Sequence, residues 1–254
     1  MRKLFTANQF LFTLGVVFVF VLWIILSYSL GSGNLVFPNP VDTFASLFEL
    51  MGRSYLWQSL LSSLLRTLQG FGISFALALI LGSLAGEVKG LQAFFRPALV
   101  VLKSAPTAAF VFLFLVLSGS SVAPTWVVGM VSFPILYEAV VAGINAVPQE
   151  ILDATRVDGA PAFRGLLYIK IPLATPYVAV GVLSSFALSF KTEIMAEIVT
   201  GSTSSGLGGM IRMLRNEDPT NLAPIFAVTV LAISVVLLLD LALFGVKKIL
   251  PSSN

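Results

Sequence analysis

Between Phe10 and Leu30 the chain carries no charged side chain. A helix of about 20 such residues crosses the hydrocarbon core of a bilayer, where every peptide group must be satisfied within the segment itself. This run therefore dictates a membrane-spanning helix. Five further apolar stretches follow, at about 59–86, 97–118, 125–146, 173–192 and 223–246. The expected fold class is all-α, a polytopic membrane protein with about six transmembrane helices.

Composition supports lipid as the solvent. Apolar residues make up 57% of the chain and charged residues 11%, far below the quarter found in soluble domains. The net charge is only +3 and its basic residues are scattered, which argues against a nucleic-acid partner. The chain has no cysteine and no histidine. That removes disulfides, thiolate chemistry, most zinc sites and the commonest general base, so no catalytic or metal-binding residues are expected.

Arg2 and Lys3 precede the first run, so a cleaved signal peptide is an alternative there. The run is longer than an ordinary signal core, and no Ala-x-Ala site follows it, which favours an uncleaved first span. In the connection Gly31 to Trp57, Pro38-Asn39-Pro40 is a breaker cluster, and Val41 to Met51 is expected to form a short amphipathic helix on the membrane surface.

With the N-terminus inside, Arg2, Lys3, Lys89, Arg96, Arg156, Arg164, Lys170, Lys247 and Lys248 all fall on the cytoplasmic side. Arg53, Lys191, Arg212 and Arg215 fall outside. The excess inside agrees with the positive-inside rule, and an even number of spans puts both termini in the cytoplasm.

In the second span Gly70, Ser74, Ala78, Gly82 and Gly86 recur every four residues. Such a ridge of small side chains lets two helices approach closely in lipid. Packing within the chain is the simpler reading and a seam between copies the alternative. Pro97, Pro106, Pro124, Pro134 and Gly129 are expected to interrupt or kink spans.

The most informative segment is cytoplasmic. Pro148 suits a first helical position, and Gln149 and Glu150 suit the positive end of a helix dipole. Gly159 suits a left-handed cap with Pro161 beyond it. Phe163, Leu166 and Leu167 then recur at helical spacing, and Pro172 opens the next span. The segment reads as two short helices joined by a sharp turn.

The spacing Asp153-Ala154-Thr155, three residues, Gly159, nine residues, Ile169-x-Ile171-Pro172 resembles the EAA loop of ABC importer permeases, Glu-Ala-Ala-x3-Gly-x9-Ile-x-Leu-Pro. The departures are Asp for Glu, Thr for the second Ala and Ile for Leu. Leu65-Arg66-Thr67-Leu68-Gln69-Gly70-Phe71 is similar to the start of that family's membrane core. Lys191-Thr192-Glu193-Ile194-Met195-Ala196-Glu197, with Gly206-Leu207-Gly208, resembles the subfamily importing nitrate, sulfonates, taurine and related small molecules.

The resemblance implies a type I importer permease in a bacterial inner membrane. Residues 1–58 would form an N-terminal span and extracytoplasmic connector, and residues 59–254 the permease core with a coupling loop at 148–172. Glu150, Asp153, Ala154, Thr155, Gly159, Ile169 and Pro172 would dock a cytoplasmic ATPase dimer. A second copy of the permease, a solute-binding protein outside and membrane lipid complete the implied partners. ATP and Mg would be bound by the ATPase, and this chain would hold no cofactor. It contains no Gly-x4-Gly-Lys-[Ser/Thr] motif, so it binds no nucleotide through a P-loop.

Charges near membrane depth are functional candidates. Lys191, Glu193 and Glu197 would line an outer gate or touch solute, or else form a solvated helix end that docks the binding protein or pairs internally. Arg66 and Lys103 are expected to snorkel to headgroups. Glu138 and Asp240 are expected to face the bundle. An ion-coupled secondary transporter is the rival reading, but it would call for intramembrane carboxylates and broken helices in matched halves, and no internal repeat is evident. An intramembrane enzyme lacks any nucleophile or metal constellation.

Overall fold

The computed structural model describes residues 2–30, 36–148, 151, 162–201 and 206–249. Their order is α1 (Arg2–Ser29), α2 (Pro40–Met51), α3 (Ser54–Glu87), α4 (Lys89–Ser104), α5 (Thr107–Ser118), α6 (Ala123–Asn145), α7 (Ile171–Thr200), α8 (Leu207–Glu217) and α9 (Ala223–Ile249). Among the described residues, five helices are long and apolar enough to cross a membrane, or six if α4 and α5 count as one bent span. The contacts divide the chain into two compact units, Met1–Trp57 with Met210–Ile233, and Gln58–Gly209 with Ser234–Asn254.

In the first unit the breaker cluster does what its residues dictate. Asn39 caps α2, its side chain accepting the Asp42 N–H at 2.8 Å, and Pro40 takes the first turn, where a missing N–H costs nothing. Trp23 of α1 donates its indole N–H to Pro38 O at 3.0 Å, and Ser27 donates to Phe37 O at 3.1 Å. Rings of Phe20, Trp23 and Phe44 lie together across α1 and α2.

The second unit is organised around α6. More than half of its apolar window is buried, 56% against none for α1. The small-residue ridge of α3 meets this helix. A Cβ on Gly70 would collide with Thr125 O and one on Gly86 would lie 2.7 Å from Ile144, while Gly82 faces Val140 at 2.9 Å. Ser74 donates to Gly129 O at 2.6 Å, and Ala78 is fully enclosed. The ridge is thus spent on packing within the chain. The other side of α6 takes α7, where Gly181 accommodates Ala139 and Gly143 accommodates Ala174.

Three expectations need correction. The third span is not one helix: α4 and α5 are bent by 97° at Ala105 and Pro106. Ala105 is extended (φ −71°, ψ 136°) because the ring of a following proline disfavours the helical region, and Pro106 has no N–H to continue the ladder. Pro124 does not interrupt a span but sits in the first turn of α6. The fifth span does not stop near Thr192, since α7 continues to Thr200 and ends at Gly201 in the left-handed region (φ 68°).

Candidate functional site

Glu150, Asp153, Ala154, Thr155 and Gly159 lie outside the described residues. The two limbs of their loop do not. Ile151 donates its N–H to Pro148 O at 3.2 Å. On the return limb a short helix, Ala162–Gly165, passes into a π-helical turn, Leu166–Lys170, and then into α7. Pro172 accounts for the widened turn: it cannot donate to the carbonyl four residues back, and its ring crowds that carbonyl. Ile171 N–H instead reaches Leu166 O. Ile169 is half-buried in this turn and Pro172 is exposed in the first turn of α7. Leu166 packs with Val140, Ile144 and Ala174. Lys170 forms an ion pair with Glu87 at the end of α3 at 2.5 Å, with 15% and 28% of the two side chains exposed.

At the far end of α7 a second cluster forms. Glu197 is enclosed and accepts hydrogen bonds from Arg66 Nη1 at 2.8 Å, Ser63 Oγ at 2.9 Å and the Gly208 N–H at 2.8 Å. Ser63 Oγ in turn accepts the Leu207 N–H at 2.9 Å. The first N–H groups of a helix lack partners within it and carry its positive end. Glu197 and Ser63, on two other helices, supply those partners for α8. A Cβ on Gly206 would strike the Glu197 carboxylate, and one on Gly208 would lie 2.5 Å from Glu197 Cβ. Both positions need glycine for space.

This arrangement revises the reading of the charges at this end of α7. Glu197 pairs internally and Arg66 is its partner, not a side chain snorkelling to headgroups. Glu193, one turn earlier, is also fully buried, and neither carboxyl oxygen has a hydrogen-bond partner among the described residues. Neither carboxylate forms a solvated helix end, while Lys191 is exposed. Gly206 directly precedes α8, and Gly208 and Gly209 lie in its first turn. Ser63 and the Leu207 and Gly208 amides were missed. The usable signal was Gly206 and Gly208 following soon after Glu193 and Glu197 at a span end.

A third feature lies between α4 and α6, a cavity of about 830 Å³ lined in part by Lys89, Arg96, Lys103, Tyr137 and Glu138. Lys103 Nζ and Glu138 meet at 2.8 Å with both side chains about half exposed. Lys103 therefore finds a carboxylate instead of headgroups, and Glu138 finds its partner across the cavity. Asp240, expected to face the bundle, is exposed on the single chain.

Residues 77–250, more than half of the chain, match the family described as binding-protein-dependent transport system inner membrane component. The chain belongs to this family. The permease is 27% identical over 209 residues to the riboflavin transport system permease protein RibX of Chloroflexus aurantiacus, covering 82% of this chain and 77% of that one. It is also 27% identical over 187 residues to the putative aliphatic sulfonates transport permease protein SsuC of Bacillus subtilis, covering 73% and 67%. Its fold matches a chain of an amino acid ABC transporter crystal structure with a TM-score of 0.67 at 17% identity, covering 82% of the permease and 98% of that chain. The fold is that of a type I ABC importer permease. The permease is a multi-pass transport subunit that moves a small solute in concert with a separate ATPase, and it is not the catalytic component.

Proposed function

We propose that the permease imports a solute of the sulfonate, taurine, nitrate or heterocyclic vitamin-precursor type. It works as a pair of copies bound to two cytoplasmic ATPase subunits, with an extracytoplasmic binding protein delivering the solute. The sulfonate and riboflavin relatives support this range of cargo. The observation that carries the coupling is the loop spacing from Asp153 through Gly159 to Pro172 in a member of this family. Glu150, Asp153, Ala154, Thr155 and Gly159 form the docking element, and Ile169 and Pro172 set its return into α7. ATP binding draws the two docking elements together and opens the pathway outward, and hydrolysis resets it. Such leverage requires the loop to contact the ATPase differently in the two states.

Both termini are assigned to the cytoplasm on the basic-residue bias. That orientation requires α4 and α5 to cross the membrane once between them. Within the outer group, Glu197 acts as a pin for α8, and Lys191 remains the exposed candidate for contact with solute or binding protein.

The test is Gly159→Arg, which places a bulky cation at the docking turn. ATPase co-purification and solute uptake should both fall, and normal values for both would sink the coupling assignment. Uptake that persists without the ATPase but collapses with an ion gradient would point to a secondary transporter. Ligand binding by the partner binding protein would identify the cargo.

A further inference from the structure

The polar face of α4 is ordered. Lys89, Arg96 and Lys103 are spaced by seven residues, two helical turns with a drift of about 20°, and all three line the cavity against α6. At 1.5 Å per residue they form a cationic stripe about 21 Å long. Leu91, Phe95 and Leu99, to one side of this stripe, pack into the core, and Leu99 also lines the cavity. Glu138 is the one acid among the described residues that line the cavity, and it holds only Lys103. Glu87, the acid nearest Lys89 in sequence, is engaged by Lys170. Charges facing hydrocarbon are costly and turn instead toward partners or water-filled cavities. A role in membrane orientation alone would place cations on the cytoplasmic flank, but it would not align them with Lys103 along one cavity wall.

We infer that the groove between α4 and α6 is a water-filled stretch of the solute path that binds small organic anions, with Glu138 as the displaceable counter-ion of Lys103. An arriving sulfonate or carboxylate takes the place of the Glu138 carboxylate on Lys103 and is drawn along the stripe by Arg96 and Lys89. Tyr137, beside Glu138 on α6, contributes to the wall. The inference rests on the importer reading, since it assigns a class of cargo to a transport subunit.

The chain contains no cysteine, so Ala93→Cys, one turn from both Lys89 and Arg96, introduces a single thiol into the groove. In the purified permease–ATPase complex, its labelling is followed with a sulfonatoethyl and a trimethylammonioethyl methanethiosulfonate of similar size. The anionic-to-cationic rate ratio should exceed that of free 2-mercaptoethanol by about tenfold, the lower end of what focused charge achieves. It should fall toward the free-thiol value in Arg96→Gln, in Lys103→Gln and at high salt. Methanesulfonate should slow the labelling, whereas neutral dimethyl sulfone should not. A ratio no higher than that of the free thiol, labelling by neither reagent, or no protection by methanesulfonate would overturn the inference. Arg96→Gln leaves the Lys103–Glu138 pair in place and keeps the test usable if Lys103→Gln fails to fold. Absence of the ATPase from the complex would fail the importer reading, whereas a flat ratio with the ATPase retained would fail the groove alone.

Discussion

Arg66 and Glu197 are 131 positions apart and meet at 2.8 Å, the carboxylate with 1% of its side chain exposed. Their pairing joins α3 to α7, and the same carboxylate receives the start of α8. Removing one member of a buried pair strands the other, at a cost of about 3–5 kcal/mol. Glu197→Gln should therefore lower the unfolding temperature of the purified complex and make the chain at Gly206 to Gly209 more open to limited proteolysis. Unchanged melting and unchanged cleavage would show that the pin is idle.

The α3 ridge makes a prediction with its own control. Gly82→Leu or Gly86→Leu drives a side chain into Val140 or Ile144, and overpacking a filled interface costs about 1–3 kcal/mol or more. A methyl group added at Gly72 on the same helix would meet nothing within 4 Å. Gly72→Ala should be silent or slightly favourable, because alanine is the better helix former. Monodisperse yield on size-exclusion chromatography separates the two cases, and equal losses at Gly72 and Gly82 would contradict the packing.

Lys170 and Glu87 tie the return limb of the docking loop to the end of α3. Lys170→Glu sets two acids against each other and should reduce solute uptake several-fold while ATPase subunits still co-purify. The exchange Glu87→Lys with Lys170→Glu should recover much of the uptake. Failure of the exchange, with both single variants folded, would mean that the pair does not transmit movement.

Asp218, between α8 and α9, supplies a pH prediction. The Thr220 hydroxyl, and then its N–H, bond to the Asp218 carboxylate and hold its pKa below the usual aspartate value. A depressed acid contributes its stabilisation above the unfolded pKa of about 3.9, and this is lost as pH falls through the folded value. The turn should thus be insensitive to pH from neutrality down to about 4 and loosen only below that range. Carboxyl chemical shifts of Asp218 would show it, and a midpoint above that of a free aspartate would be the contrary result.

Much of this fold can be read from hydrophobic runs, because spans of about 20 apolar residues have few alternatives in lipid. Pro38 to Pro40 and the α2 helix were legible for the same local reasons of capping and restricted φ. The 97° bend was not. Pro106 announces a kink, but its angle depends on how α4 and α5 pack against α6, a helix that follows them in the chain. Glu193 and Glu197 misled because two acids at a span end suggest water. Only tertiary structure reveals the arginine, the serine and the Gly208 amide that let Glu197 remain inside. Ile169 and Pro172 belong to a local pattern, but the partner of the intervening Lys170 is 83 positions away.

The glycines of the α3 ridge are already occupied by α6. Whatever joins one copy to another has to draw on different surfaces, so how the subunit folds and how it finds a mate are separable traits. A lineage could duplicate this gene and let the two products diverge into an unlike couple while leaving the inner crossing untouched.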